Sequence, residues 1–205
     1  MPSHRPYPLS FYRRDTAVVA RDLLGCRLIR RFPGGERRAV VIVETEAYLG
    51  AKDRAAHTWN GRRTPRVAPM WGPGGHAYVY FVYGMHYCLN VVTQEEGVPE
   101  AVLLRAAVSE EWWADWRNEE KEKKQIFLYS GPAKLCAHLS VTTALSGVPL
   151  SGPELVISRG PRRDFEVLVG PRVGVEYAGA AAAWPLRFAV AGCPAVTRRG
   201  LLAAS

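Results

Sequence analysis

The chain has 205 residues, a length that suits one compact domain, and its 27 Lys and Arg residues outnumber its 19 Asp and Glu residues to give a net charge of +8. No stretch approaches the ~18 consecutive apolar residues of a membrane-spanning helix, and Met1–Pro8 lacks the apolar core of a secretory signal. These features argue against a membrane protein and lead us to expect a cytoplasmic or nuclear one, while the basic excess favours a polyanionic partner such as nucleic acid.

The first half of the chain predicts one helix, one buried strand and a long loop. Asp15–Leu24 reads as a short helix with Asp15 as its N-cap and Gly25 just past its end. Ala39–Val43 is a continuous β-branched apolar run, which is typical of a buried strand. Tyr48–Gly75 is rich in Gly, Pro, Arg and His and has no clear period. We expect an ordered loop there, and long ordered loops in compact domains are often functional.

The second half predicts mainly strands. Ala77–Tyr83 and Tyr87–Val92 flank Gly84-Met85, whose leading glycine suits a two-residue type II′ turn. The further predicted elements are a strand over Ala101–Val108, an amphipathic helix or peripheral insertion over 109–124, a helix over Pro132–Leu145, and strands over Leu155–Ser158, Phe165–Val169, Arg172–Tyr177 and Leu186–Val190. Because strands cluster with few crossover helices, we expect an α+β fold. It would be a single domain over 1–205 on a curved, mostly antiparallel β-sheet with peripheral helices, its ends at 1–8 and 192–205 poorly ordered.

Carboxylates follow the buried strand in the segment Glu44-Thr45-Glu46-Ala47-Tyr48. If the strand continues, Glu44, Glu46 and Tyr48 share one face. The simplest interpretation is that the strand has reached solvent, because unpaired buried carboxylates are costly. The functional alternative is a carboxylate placed beside an aromatic ring, with His57 a few residues on. An unperturbed glutamate pKa of ~4.3 would keep such a group ionised at neutral pH.

Two further segments could contact a ligand. Alternation along the strand puts Tyr78 and Tyr80 on one face, and Tyr83 falls beside the predicted hairpin tip. Aromatic residues at this spacing are more often core, but a tyrosine next to a turn glycine on a basic protein suits stacking or wedging. The loop Gly61–Arg66 is either a solvated face or a phosphate-binding loop.

Several stretches carry a resemblance to a known family. They are VETEAYLG (Val43–Gly50), DRAAH (Asp53–His57), GRRTPR (Gly61–Arg66), GHAYVYFVYGMHYCLNVVT (Gly75–Thr93), AVLLRA (Ala101–Ala106), SGPAKLCAHL (Ser130–Leu139) and PRVGV (Pro171–Val175). In this order they resemble the alkyladenine (3-methyladenine) DNA glycosylase family, of the type unrelated to helix–hairpin–helix glycosylases. No single motif carries the match, which covers most of the chain between Leu9 and Val190.

The resemblance implies a set of catalytic and base-binding residues. Glu46 would be the general base that activates water for attack on the anomeric carbon, and Arg105 would help to hold that water. The residues implied as walls for the flipped base are Tyr48, His57 and Tyr80. Asn90 would reject normal guanine by crowding its exocyclic amino group. His57 is also a candidate acid for neutral lesions such as hypoxanthine.

The resemblance also implies how DNA is held. Tyr83 would enter the minor groove and fill the gap in the stack, with Met85 at the same hairpin tip. The arginines of the basic loop, Arg62, Arg63 and Arg66, are the expected backbone contacts. The expected partner is double-stranded DNA with damaged purines, acted on by a monomer in the bacterial nucleoid, or in the nucleus of a eukaryote. No cofactor or metal is expected, and no lysine in these motifs replaces the activated water, so we expect no lyase activity.

Two other classes of function stay open at this stage. A non-catalytic module that binds damaged DNA would keep Tyr83 and the arginines but would not need Glu46. A metal-dependent nuclease could use oxygen and nitrogen ligands from Glu44, Glu46, Asp53 and His57. The two enzymes respond differently to a chelator such as EDTA: the nuclease would lose its activity, whereas a glycosylase with a water-activating glutamate would keep it.

Overall fold

The computed structural model describes residues 5–114, 129–161 and 164–204, which form an α+β body around one antiparallel sheet. The strands are β1 Arg27–Arg31, β2 Arg37–Tyr48, β3 Ala77–Val82, β4 His86–Thr93, β5 Glu100–Ser109, β6 Leu155–Ser158, β7 Val167–Gly170, β8 Arg187–Val190 and β9 Ala203–Ala204. Their order is β3-β4-β5-β2-β8-β7-β9, and β1 pairs with both β2 and β6. The α+β prediction with a mostly antiparallel sheet and peripheral helices is confirmed.

Strand β2 runs through the centre of the sheet and is longer than the predicted Ala39–Val43. It pairs with β5 along one edge, while its other edge pairs first with β1 and then, over Glu44–Glu46, with β8. The register with β5 is irregular on both sides of Glu44, as happens where a bulge re-aims side chains. Glu44 and Glu46 therefore lie inside the sheet with no exposed surface, and the interpretation that the strand has reached solvent is wrong.

Short helices surround the sheet. The α-helices are α1 Leu9–Tyr12, α2 Thr16–Asp22, α3 Glu110–Ala114 and α4 Pro132–His138, and 3-10 turns span Gly50–Lys52, Trp59–Gly61, Ala68–Trp71, Thr143–Leu145, Glu176–Ala183 and Arg199–Leu201. Asp15 caps α2 as predicted, because its carboxylate accepts hydrogen bonds from the backbone N–H groups of Ala17 and Val18 at 3.0 Å. The helix packs on the sheet, where the hydroxyl of Thr45 donates to the carbonyl of Ala20 at 2.8 Å. None of the helices in the described ranges has the length and apolar character needed to cross a bilayer.

In the second half, one predicted helix is too long and one predicted strand is absent. The helix predicted over Pro132–Leu145 ends at His138, because Ser140 has a left-handed φ of 49° and Thr142 is extended. The strand predicted over Arg172–Tyr177 is absent: these residues lie between β7 and β8, where Gly174 has a φ of 75° and a 3-10 turn begins at Glu176. Their polar groups bind the ends of other elements instead of a neighbouring strand.

The hairpin and the charged segment also differ from the prediction. The turn is centred on Tyr83-Gly84 rather than Gly84-Met85, since φ is 53° at Tyr83 and 70° at Gly84 and the N–H of Met85 donates to the carbonyl of Val82 at 3.3 Å. Two positive φ values in succession are typical of a type I′ turn, not of type II′. Of the segment 109–124, Ser109 ends β5, Glu110–Ala114 is helical, and residues 115–124 lie outside the described ranges.

Candidate active site

A cavity of about 350 Å³ opens between the end of β2, the β3–β4 hairpin, β5 and the loop before the 3-10 turn at Glu176. The structure brings most of the predicted site residues to its wall. Those that line it are Tyr48, His57, Arg66, Tyr80, Tyr83, Asn90 and Arg105. The sequence alone placed these residues in five separate segments, and the antiparallel sheet gathers them.

Glu46 lies behind this wall and has no exposed surface. Its Oε2 accepts a hydrogen bond from the Tyr48 hydroxyl at 2.9 Å, and its Oε1 accepts one from the N–H of Val173 at 2.8 Å. Arg105 Nη1 lies 3.2 Å from the same Oε1. Burial raises the pKa of Glu46 above its ordinary 4.5, although Arg105, Val173 and Tyr48 oppose the shift. The expectation of an unperturbed pKa is therefore wrong.

Aromatic rings form the walls of the cavity. The ring centroids of His57 and Tyr80 are 4.5 Å apart with an interplanar angle of 76°, and those of Tyr78 and Tyr80 are 5.6 Å apart. His57 Nδ1 is 2.8 Å from the Tyr78 hydroxyl. Burial, with Arg66 and Arg62 nearby, lowers the pKa of His57 to about 4. This shift favours the neutral ring of His57 at neutral pH.

Asn90 and Tyr78 meet at the inner end of the cavity. The Asn90 side chain donates through Nδ2 to the backbone carbonyl of Tyr78 at 3.0 Å, and the residue is 4% exposed. This bond connects β4 to β3, so the Asn90 amide is held in one orientation. A fixed, buried amide can discriminate between bases that differ in one exocyclic group, because a misfit leaves a polar group unpaired.

A buried ion pair packs against the cavity wall at Tyr48. Arg172 Nη2 donates to Asp53 Oδ1 at 2.9 Å, a second bond joins Nη1 to Oδ2, and both side chains are fully buried. Asp53 also accepts hydrogen bonds from the N–H groups of Leu49 and Ala55, both at 3.0 Å. The guanidinium carbon of Arg172 lies 4.7 Å from the centroid of the Tyr48 ring. The pair therefore ties the loop that precedes His57 to the strand end that carries Tyr48.

The hairpin tip is the most exposed part of the site. Tyr83 is 87% exposed and Met85 is 68% exposed, although both are large and apolar. Such exposure is unusual unless the side chains meet a partner. The tip projects beyond the cavity mouth, which Tyr83 also borders.

The basic loop packs against this hairpin. Arg66 Nη2 donates to the carbonyl of Phe81 at 3.1 Å, and its guanidinium carbon is 5.5 Å from the centroid of Tyr80. Arg63 stacks on Trp71 at 3.7 Å. Arg62 is exposed beside them. The loop thus forms a cationic rim next to the hairpin and the cavity.

Sequence reasoning put Tyr78, which bonds His57, on the face of Tyr80 without giving it a role, and it missed Val173, which bonds Glu46, and Tyr177. Tyr177 borders the cavity, is 63% exposed, and donates through its hydroxyl to the carbonyl of Ala55 at 3.3 Å. The mistaken strand over Arg172–Tyr177 hid two of them. A signal was present in Gly174, since a glycine inside a strand pattern often marks an irregular backbone.

The side chains considered as metal ligands are engaged by other groups. Glu44 and Glu46 each contact Arg105, Asp53 contacts Arg172, and His57 contacts Tyr78. Over the ranges that the structure describes, no three His, Cys, Asp or Glu side chains gather as a metal-binding group would require.

Comparison with known proteins identifies the family of this chain. The family described as Methylpurine-DNA glycosylase (MPG) matches residues 10–194. Three relatives carry the provisional name 3-methyladenine DNA glycosylase. The relative from Clostridium acetobutylicum is 41% identical over 92% of this chain and 97% of its own length. The relatives from Desulfitobacterium hafniense and Methanocella arvoryzae are each 45% identical, over 87% and 94% of this chain and 91% and 96% of their own lengths.

The chain therefore belongs to the methylpurine-DNA glycosylase family, whose members are hydrolases acting on the N-glycosyl bonds of damaged DNA bases. The family expected from the sequence motifs is confirmed. The roles of the individual site residues stay predictions.

Proposed function

We propose that the protein acts in base-excision repair as a monofunctional glycosylase that removes alkylated or deaminated purines from duplex DNA. The damaged nucleotide would turn out of the helix into the cavity, where a water activated by Glu46 hydrolyses the N-glycosidic bond. The observation that carries the proposal is a fully buried carboxylate, held by an arginine, behind the wall of an aromatic cavity of about 350 Å³. A purine and its deoxyribose fit a cavity of this size class.

Ionised Glu46 would accept a proton from the water as the water oxygen bonds to the anomeric carbon. The bond from that carbon to the purine nitrogen breaks, and the electron pair leaves with the base. An N-alkylated purine carries positive charge before cleavage and leaves as a neutral molecule, so it needs no acid. Hypoxanthine is neutral before cleavage, so it leaves as a neutral molecule only if an acid in the site gives it a proton. Arg105 at 3.2 Å favours the ionised form of Glu46 despite its burial.

The aromatic walls would select cationic bases. Tyr48, Tyr80 and the neutral ring of His57 present electron-rich faces, and a cation over such a face gains roughly 0.5–2 kcal/mol. Normal bases lack the charge, and flipping, which costs about a few kcal/mol, costs less at a damaged or mismatched base than at a normal one. Asn90 would add discrimination against guanine.

Tyr83 would fill the space that the flipped nucleotide leaves, and Met85 would pack beside it. The rim of Arg62, Arg63 and Arg66 would neutralise backbone phosphates near the hairpin. The partner in this proposal is damaged double-stranded DNA, bound by a monomer at the bacterial chromosome. No lysine lies among the described residues that line the cavity, which supports water rather than an amine as the nucleophile.

The test is single-turnover release of base from a duplex that holds one hypoxanthine or one 3-methyladenine analogue, in EDTA. Wild type should release the base, and Glu46→Gln should lose at least about a hundredfold in rate while still binding the duplex. Glu36→Gln is the matched control, because the Glu36 side chain is 60% exposed in the β1–β2 turn. Binding without release by wild type would favour the non-catalytic module, and loss of activity in EDTA would favour a metal enzyme. Near-normal rates in Glu46→Gln would refute the assignment of the base.

A further inference from the structure

Glu44 is the centre of a second buried charge network that the sequence motifs do not assign. Its Oε1 accepts hydrogen bonds from Arg105 Nε and Arg187 Nε, both at 2.8 Å. Its Oε2 accepts one from the N–H of Thr197 at 2.9 Å, and the Thr197 hydroxyl lies 3.0 Å from Oε1. The network joins β2, β5 and β8 to the segment after β8.

Arg105 is held at all three guanidinium nitrogens. Nε donates to Glu44, Nη2 donates to the Thr197 hydroxyl at 3.2 Å, and only Nη1 points to Glu46. Two of the three contacts thus come from Glu44 and Thr197. A planar guanidinium fixed at two corners has its third corner fixed as well, because the fork is rigid.

The charges in this network balance only when Glu44 is ionised. Arg105 and Arg187 carry two positive charges, and Glu44 and Glu46 carry two negative ones, all at side chains that are at most 8% exposed. Removing the charge of Glu44 would leave the guanidinium groups of Arg105 and Arg187 without the carboxylate that they share. Arg105 is foremost among the groups that lower the pKa of Glu46, so a guanidinium that turns away from Glu46 would raise that pKa.

We infer that Glu44 and Thr197 are positioning residues for the glycosylase reaction: they aim Arg105 at Glu46, the carboxylate that activates the water. This inference rests on the proposed function, because it requires Glu46 to be the base. Neither residue lines the cavity, so they act through Arg105 and Glu46 and not by touching the damaged base.

The groups that face Glu46 come from every element packed around it. They are Glu44 and Tyr48 on β2, Tyr80 on β3, Cys88 on β4, Arg105 on β5 and Arg187 on β8. Tyr80 and Cys88 are neutral at working pH, because burial raises the pKa of each. Arg105 is therefore the charged group whose displacement should move the titration of Glu46 most.

The test measures the single-turnover rate of base release against pH for wild type, Glu44→Gln and Thr197→Val. Glu44→Gln should lower the plateau rate at least about tenfold, because the guanidinium loses its charged anchor. Its acid limb should move to higher pH, because Arg105, the foremost of the groups that lower the pKa of Glu46, is no longer held against it. Thr197→Val keeps every charge and the backbone N–H, so it should lower the plateau about fivefold and move the acid limb less than Glu44→Gln does.

Three controls separate positioning from loss of structure. Thermal unfolding checks that each variant is folded, the Kd for lesion duplex should stay within about twofold because no cavity contact is lost, and Glu36→Gln should match wild type throughout. A folded Glu44→Gln protein with a wild-type plateau or a wild-type acid limb overturns the inference. If Glu44→Gln does not fold, a wild-type rate in Thr197→Val overturns it. Absence of base release by wild type would instead refute the proposed function.

Discussion

Replacing Asp53 by asparagine should destabilise the protein far more than a typical substitution in a loop. In the folded chain Asp53 lies opposite Arg172, and both are fully buried. Apart from Asp53, Arg172 donates only to the carbonyls of Ala47 and Ala181, at 3.0 and 3.1 Å. Asparagine keeps the size of the side chain, so the substitution removes the negative charge and one acceptor without opening a large cavity.

The expected cost follows from the guanidinium that is left behind. Removing one partner of a buried ion pair costs about 3–5 kcal/mol, because the other charge stays buried without compensation. In a chain of this size each kcal/mol lowers Tm by about 2–4 °C, so Asp53→Asn should lower Tm by roughly 6–20 °C. The matched control is Glu36→Gln, which breaks the exposed pair with Arg38 and should cost less than about 1 kcal/mol.

Urea unfolding followed by circular dichroism gives both free energies of unfolding, and a thermal melt gives both Tm values. The difference between Asp53→Asn and Glu36→Gln should exceed about 2 kcal/mol. Equal stabilities of the two variants would show that the Arg172 charge finds compensation elsewhere. They would refute the argument that this pair holds the loop of the site in place.

Three other predictions concern activity and DNA binding. The single-turnover rate should fall as pH decreases, with a midpoint above 4.5, because burial raises the pKa of Glu46 and only the ionised form accepts a proton; a midpoint at or below 4.5 in a pH–rate profile would contradict this. Tyr83→Ala should leave Tm within about 2 °C of wild type, since the side chain is 87% exposed, yet weaken lesion-duplex binding by about 5- to 150-fold, the range for one lost stacking contact. Fluorescence anisotropy measures that affinity, and an unchanged Kd would remove Tyr83 from the interface. Arg62→Gln should reduce the slope of log Kd against log salt by about 0.9 if Arg62 binds one phosphate, and an identical slope would place it off the DNA path.

The sequence predicted the parts of the fold that local chemistry determines. The N-cap of α2 at Asp15, the buried run at Ala39–Val43 and the strands around the hairpin all depend on neighbouring residues. The strand predicted over Arg172–Tyr177 failed because its polar groups bind distant partners: Arg172 reaches Asp53 and the N–H of Val173 reaches Glu46. Contacts between residues more than a hundred positions apart leave no periodic signal in a single sequence.

In the site too, local motifs were predictable from the sequence and the effects of distant contacts were not. The motifs implied that Glu46, Tyr48 and Arg105 act at one site, and the structure places Tyr48 and Arg105 in the cavity wall with Glu46 behind them, but burial sets their electrostatics. An exposed glutamate and histidine would titrate near their ordinary pKa values, whereas burial raises the pKa of Glu46 and lowers that of His57 to about 4. The network around Glu44 depends on Thr197, which lies in the segment 192–205 and has no motif of its own.

Tyr83 stands at a position where thermostability and repair would favour different residues. Its φ of 53° is a left-handed conformation that costs a residue with a Cβ roughly 1–2 kcal/mol. Because the ring is exposed, it makes few packing contacts that could offset this cost. Glycine or asparagine would adopt the same backbone with less strain. A laboratory selection for heat resistance alone should therefore discard the tyrosine, and a redesign guided only by folding energy would remove the side chain proposed to hold the DNA open.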